Sequence, residues 1–269
     1  MKKTLLNSLY VLVTLSSLFF IYLFFIFNPN DYKDEITSYI SSKTKYDFRY
    51  NGEIEASYYP NIKFLMSGIQ IFKISSEPKD IMIEVSSIDL SLSLEKLINN
   101  IIDVNHIKAY GLKYHGINAD DILIKTYSLS KFSLFTGSGK KITNIKSMSA
   151  KAKIIDDNMK ISNIYIETEI MEAKGSGFIN LITKEAEFNF IGKIKKYENV
   201  ISFYQNSYPK ELMDEELPIM ISGKLSNLSM SIDLSHIVMQ KIEPIREKII
   251  DEIQDKVINE LRDKIKLPF

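Results

Sequence analysis

The chain has 269 residues, 45% hydrophobic and 25% charged, with a formal net charge of zero. That is enough for one large domain or two small ones, and the balanced charge excludes the basic face that non-specific nucleic-acid binding requires. There is no cysteine, so disulfides and thiolate metal sites are excluded as well, and neither a metal nor a cofactor is expected.

From Leu9 to Phe27, nineteen residues run without a charge, broken only by Thr14, Ser16 and Ser17. At about 1.5 Å per residue they span roughly 29 Å, which matches a hydrocarbon core of about 30 Å. The run ends in Phe24, Phe25, Ile26, Phe27, Asn28 and Pro29, which make a poor signal-peptidase site, so it reads as an anchor that stays. Lys2 and Lys3 precede it, and Asp31, Asp34 and Glu35 outnumber Lys33 after it. The positive-inside rule then places residues 1–8 in the cytoplasm, the single span at 9–27 and the rest across the membrane.

Residues 28–45 carry Tyr32, Ile36, Tyr39 and Ile40 at helical spacing, with Asp31 placed to cap the first turn. This predicts a short amphipathic juxtamembrane helix, lying on lipid or packed on the following sheet.

From residue 46 to 235 the period changes to two. Phe48 and Tyr50, then Ile54, Ala56 and Tyr58, alternate with polar residues about Asn51-Gly52, a hairpin-like signal, and Pro60 closes the segment. Alternation returns at Ile81, Ile83, Val85; at Ile88, Leu90, Leu92, Leu94; at Met148 to Ile154; at Ile164, Ile166; at Ala186, Phe188, Phe190; and at Ile219, Ile221 and Leu228 to Leu234. This predicts a mainly antiparallel sheet with one apolar and one polar face. Between Val85 and Ile88 the apolar parity flips across Ser86-Ser87, which predicts a bulge and a curvature point. About eleven strands at roughly 4.8 Å make a sheet about 50 Å wide, which must curl, close or be covered. Residues 236–269 supply the one long helical pattern, with Ile242, Ile245, Ile249, Ile253, Val257, Leu261 and Ile265 spaced by three or four around Pro244. Its mixed acids and bases lack the Lys-rich face of a membrane-surface helix, and docking on the sheet is expected. The fold class is therefore α+β: an N-terminal transmembrane helix, a curved antiparallel sheet and a C-terminal amphipathic helix.

Signals for catalysis are weak throughout. Thr136-Gly137-Ser138-Gly139-Lys140-Lys141 fails the phosphate-loop pattern at both ends, with Leu134 where the first Gly belongs and Lys141 where the Ser or Thr belongs. His106, His115 and His236 have no ligand-spaced neighbours, and Asp120-Asp121, Asp156-Asp157 and Asp214-Glu215-Glu216 read as turn or loop acids. A non-enzyme is expected.

The membrane helix followed by "NPNDYKDEITSYISSKT", "YNGEIEASYYP" and "IKFLMSGIQI" resembles the AsmA family of bacterial envelope proteins, and "IEVSSIDLSLSLEKLINNIIDVNHIKAYGLKY" continues the likeness. Later segments, "KISNIYIETEIMEAKGSGFINLITKEAEFNFIGKI" and "LPIMISGKLSNLSMSIDL" with a closing charged helix, are similar to the family's final strands and tail. The resemblance implies an inner-membrane anchor and a periplasmic β-groove. It further implies a part in outer-membrane assembly, in phospholipid transport or, by analogy, in regulating protein targeting to the membrane. It brings no catalytic residues. Phospholipid is then the candidate ligand and an envelope protein a possible partner. Groove positions would be Ile81, Ile83, Val85, Ile88, Leu90, Leu92, Ile164, Ile166, Phe188, Phe190, Ile219 and Ile221. Long relatives repeat the sheet unit, whereas this chain passes almost directly from the N-terminal pattern to the C-terminal one. An interaction module with a dry β-core and a partner-binding C-terminal helix is the alternative.

Overall fold

The computed structural model describes residues 2–22, 28–44, 46–58, 61–73, 80–93, 95–96, 102–131 and 133–264. The last part of the apolar run (23–27), Pro60, Leu94 and the final residues 265–269 of the C-terminal pattern lie outside them. The first helix, α1, covers Lys2–Ile21. Among the described residues no helix is long and apolar enough to cross a membrane; the apolar sequence itself continues beyond them to Phe27. Every described side chain of α1 from Thr4 onward is exposed, Leu9, Leu12 and Leu15 among them.

A 3-10 turn, Pro29–Tyr32, leads into α2, Lys33–Thr44. Asn28 caps the turn, its side chain accepting from the Asn30 N–H, in the place expected of Asp31. Pro at the first turn position needs no N–H partner, which fits Pro29 to this start. Ile36 and Ile40 of α2 pack against a cluster built on Phe48, Tyr50, Ile54, Ile69, Val85 and Ala109, so α2 lies on the sheet through these residues.

Among the described residues, eleven strands form one antiparallel sheet. They are β1 Asp47–Tyr50, β2 Ile54–Ser57, β3 Ile62–Phe72, β4 Ile81–Leu92, β5 Asp103–His115 and β6 Ile142–Ile155. The rest are β7 Asn158–Glu167, β8 Met171–Asn180, β9 Glu185–Ile194, β10 Leu217–Lys224 and β11 Asn227–Ile232. From β3 to β11 each strand pairs with the next, while β1 and β2 both pair with β3. The hairpin expected at Asn51-Gly52 is therefore not formed. Asp47 lies opposite Phe72 and Tyr50 opposite Ile69, while Ile54 lies opposite Met66 and Ser57 opposite Lys63. One strand thus continues past a bulge at residues 51–53. Gly52 is required there because a Cβ would sit 2.6 Å from the Ser67 carbonyl oxygen.

The parity change expected at Ser86-Ser87 is present and extends to the neighbouring strands, but without the expected bulge, since the register runs unshifted through it on both sides. Inward apolar positions jump by three residues from Met66 to Ile69, from Val85 to Ile88 and from Ala109 to Leu112, all in one cluster. Gly68 and Gly111 take positive φ, 65° and 59°, at this row, a conformation that costs glycine little. The row bends the sheet. A second irregularity on β7 surrounds Asn163, with φ 51°. Tyr114 of β5 shows how far the bending goes. Its hydroxyl donates to the Leu225 carbonyl at 3.1 Å and accepts from the Leu228 N–H at 3.2 Å, in the β10–β11 turn. Six strand spacings separate β5 from β11, about 29 Å in a flat sheet, more than a tyrosine spans. The sheet is therefore curved, and the face that carries Tyr114 is the concave one.

A third long helix, α3, Ala119–Ser130, lies between β5 and β6. It was not expected; Asp120 and Asp121, read as loop acids, are its first-turn acids, and Asn118 caps it by accepting from the Asp121 N–H at 3.1 Å. Acids there suit the positive end of the helix dipole. The last helix, α4, covers Glu243–Lys264. Every described side chain from Asp251 to Ile258 is exposed, with Ile253 56% and Val257 50% accessible, so this part does not dock on the sheet as expected. The segment before it is held by Leu234 and Ile237, which are buried with the α3 cluster, and by Lys241, which pairs with Glu215.

Candidate functional site

The concave face carries one apolar band that crosses the sheet. Phe64 pairs with Leu90 and Met66 with Ile88, Leu90 with Ile107 and Ile88 with Ala109, and Ala109 with Met148. Met148 pairs with Ile166, Ile164 with Gly175, Gly175 with Phe190 and Gly177 with Phe188. Phe190 and Phe188 then lie opposite Ile219 and Ile221. All twelve sequence-derived groove positions lie on β4, β7, β9 or β10. Ile81 sits at the start of β4 opposite Phe72, where the register shifts.

Burial divides the band. Ile164, Phe190 and Ile219 are buried in one cluster with Leu123, Ile124 and Tyr127 of α3, so the protein's own helix covers them. Val85 is buried in the cluster that α2 joins. These four positions belong to the packed interior. Ile83, Ile88, Leu90, Leu92, Ile166, Phe188 and Ile221 are only half-buried, as are Ile62 and Phe64 beside them on β3. The ends of β3 and β4 that carry Ile62, Phe64, Leu90 and Leu92 leave apolar side chains partly open to solvent on the concave side. The outer face carries exposed Lys108, Lys151, Lys153, Lys160 and Lys174 on alternate positions, interspersed with exposed Leu65, Tyr110, Phe178, Ile191 and Met220.

Polar contacts fix α3 over the closed part. Asp120, 1% exposed, accepts from the Thr168 hydroxyl at 2.5 Å and from the Glu169 N–H at 3.1 Å. Burial pushes its carboxyl up to about 6, against the lowering effect of those hydrogen bonds. Asp121 accepts from the Tyr204 hydroxyl at 2.9 Å and from the Ser138 N–H and hydroxyl, both at 2.7 Å. The Gly137–Gly139 loop is thereby tied to the helix start and serves as a structural turn. Burial also pushes the Tyr204 phenol up, and nearby Asp120 and Asp121 add to that. At the other end the Tyr127 hydroxyl donates to Glu211, which Lys131 approaches at 2.9 Å. Burial, then Glu211, pushes Tyr127 up to about 12.

The N-terminal segment is held with similar specificity. Asn30 acts as a partner for the free edge of β2: its Oδ1 accepts from the Ile54 N–H at 2.8 Å and its Nδ2 donates to the Ile54 carbonyl at 2.9 Å. Lys33 donates to the Gly52 carbonyl at 2.5 Å, and the Phe48 N–H donates to Ser41 at 3.0 Å. A rigid joint therefore places the chain emerging from the apolar run beside the strands that carry Ile54, Met66 and Phe64. Sequence reasoning did not find this joint, although Asn and Lys next to a short edge strand are residue types that blunt such edges.

Among the described residues no cluster of three or more histidines and carboxylates forms a metal site. His115 Nε2 meets Glu84 at 3.0 Å on the outer face, in an ion-pair geometry shared with Lys113.

No curated protein matches the chain. The model of the AsmA family matches residues 1–121, which contain α1, the Asn30 joint, α2, strands β1 to β5 and the start of α3. The similar-looking segments after residue 121 lie outside that match. Over residues 1–121 the chain is thus similar to the AsmA family.

Proposed function

We propose that the protein is a single-pass inner-membrane protein whose translocated sheet takes up lipid acyl chains, in support of outer-membrane assembly or phospholipid transport. The observation that carries this reading is the uncovered apolar stretch of the concave face at Ile62, Phe64, Leu90 and Leu92, next to the strand that Asn30 joins to the apolar run. Each CH₂ of an acyl chain moved onto such a surface gains about 0.8 kcal/mol. Residues 9–27 form the anchor, with the N-terminus cytoplasmic and the sheet periplasmic. No catalytic step is assigned; the polar groups with raised pKa hold α3 in place. The test is mass spectrometry of the full-length protein purified from a bacterial membrane. Phospholipid at a defined ratio to protein is the expected result, and a folded protein free of lipid refutes the reading.

A second reading rests on α4. Its exposed Ile250, Ile253, Val257 and Ile258 make an apolar surface, and an envelope protein that binds there would make the chain an interaction module. A truncation after Leu234 separates the two: lipid content is retained in the first reading, and a protein complex is lost in the second.

A further inference from the structure

We propose that the concave face is a blind cup with a single mouth, so that an acyl chain enters and leaves by the same end and cannot pass through the protein. This deepens the reading above and rests on it. Along β9 and β10 the large inward residues go from half-buried Phe188 and Ile221 to buried Phe190 and Ile219, and then to Ile194 and Leu217, 8% and 0% exposed, while the small Ala186 beyond Phe188 is buried at 4%. The closed end is filled by α3, whose Leu123 and Ile124 are both fully buried, and by Leu212 from the loop before β10, also at 0%. On the same face, toward the β1 edge, α2 and β1 pack with Ile69 and Val85. Tyr114 then ties β5 to the β10–β11 turn across the concave side. Elsewhere, at the ends of β3 and β4, Ile62, Phe64, Leu90 and Leu92 remain partly open.

The occupant is the acyl chain of a membrane lipid, because the open end adjoins the joint made by Asn30 and Lys33 with β2 and the bulge before it, where the chain leaves the apolar run. A lipid tail can slide from a bilayer to apolar residues there, while its headgroup stays at the mouth. A passage through the protein would need α3 to leave its site. That would expose Leu123, Ile124 and Tyr127 together and leave Asp120 and Asp121 without their Thr168, Glu169, Tyr204 and Ser138 partners. A cup of this kind suits a protein that holds or hands over one lipid at a time.

The chain contains no tryptophan, so single tryptophans report local contact with lipid. The full-length protein is reconstituted in vesicles of phosphatidylethanolamine and phosphatidylglycerol with brominated acyl chains, which quench tryptophan on contact. Phe64→Trp and Leu90→Trp report the mouth, Phe190→Trp the closed end, and Tyr165→Trp the outer face. Tyr208→Trp, in the same buried cluster as Phe190, replaces Phe190→Trp if that variant fails to fold by circular dichroism. Loss of most emission at Phe64→Trp and Leu90→Trp, with none at the closed end or the outer face, is the expected result. Quenching at the closed end as well overturns the blind cup while leaving the lipid-binding reading standing. Quenching at neither mouth position overturns both. Quenching on the outer face too shows the sheet lying on the bilayer and overturns the cup.

Discussion

Gly175 and Gly177 decide how the phenylalanines of β9 lie. A Cβ on Gly175 would fall 2.2 Å from the Asn189 carbonyl oxygen and 2.5 Å from Phe190 Cδ1, and one on Gly177 would fall 2.3 Å from Phe188 Cδ1. The two rings lie across these glycines with centroids 6.1 Å apart and planes 25° from parallel. Gly175→Ala is expected to cost about 1–3 kcal/mol by overpacking; an unchanged urea midpoint would contradict this packing. Asp120 makes a second prediction, through pH. Its folded pKa, about 6, lies above the ordinary value of 3.8 because the group is buried. The folded state therefore keeps a proton that the unfolded chain has already released. This contribution is fully present below pH 4 and is lost as pH rises through about 6, by roughly 1–3 kcal/mol. Thermal melts of the wild type and Asp120→Asn from pH 4 to 7 should differ in slope, with the variant flatter. Parallel profiles would show that Asp120 is ionised throughout. Neither glycine nor aspartate could be assigned from sequence, because their roles depend on which strand or helix lies against them.

Among the elements, the strands were the most legible. Alternation at Ile88, Leu90, Leu92 and at Phe188, Phe190 records a pleat with one apolar face, and local residues suffice to read it. The parity flip at Ser86-Ser87 was readable for the same reason. Asn51-Gly52 misled because its residues suit a two-residue turn as well as a bulge, and only Ser67 and Gly68 across the pair distinguish the two. Helix α3 was hidden by its brevity. Its twelve residues show apolar spacing over little more than one turn, at Leu123, Ile124 and Tyr127, and Asp120-Asp121 suits a turn as well as a first helical turn. The Asn118 cap was the available signal. α3 also changes what the sheet can do, since it converts Ile164, Phe190 and Ile219 from open lining to core. Tyr114 joins the first and last parts of the sheet without any secondary structure between them. Its burial raises the phenol pKa, partly offset by the Leu228 N–H. Tyr114→Phe removes both hydrogen bonds and leaves the Leu225 carbonyl and Leu228 N–H unpaired, at a cost of about 1–3 kcal/mol. Faster hydrogen exchange at the Leu228 amide should accompany it; unchanged exchange would mean that the turn is held by other contacts.

At the largest scale, the likeness to the AsmA family was readable because residues 1–121 combine the apolar run, the juxtamembrane helix and the first strands in a fixed order. The division of the concave face into a closed and an open part was not readable, because it is set by long-range packing of α3 and the 197–216 segment on strands distant in sequence. The undocked α4 was not readable either: an apolar stripe at helical spacing looks the same whether a sheet, a partner or water faces it. What the molecule does depends on the open part of the face being a binding surface and the closed part being ordinary core. Two charged substitutions test that division directly, by thermal unfolding and by counting the phospholipid that copurifies with the full-length protein. Leu90→Glu should remove bound lipid while leaving the unfolding temperature near that of the wild type. Phe190→Glu should destabilise the fold by about 4 kcal/mol or more through an unpaired buried charge. If Leu90→Glu unfolds the protein as Phe190→Glu does, or keeps its lipid, the open face is not the binding surface.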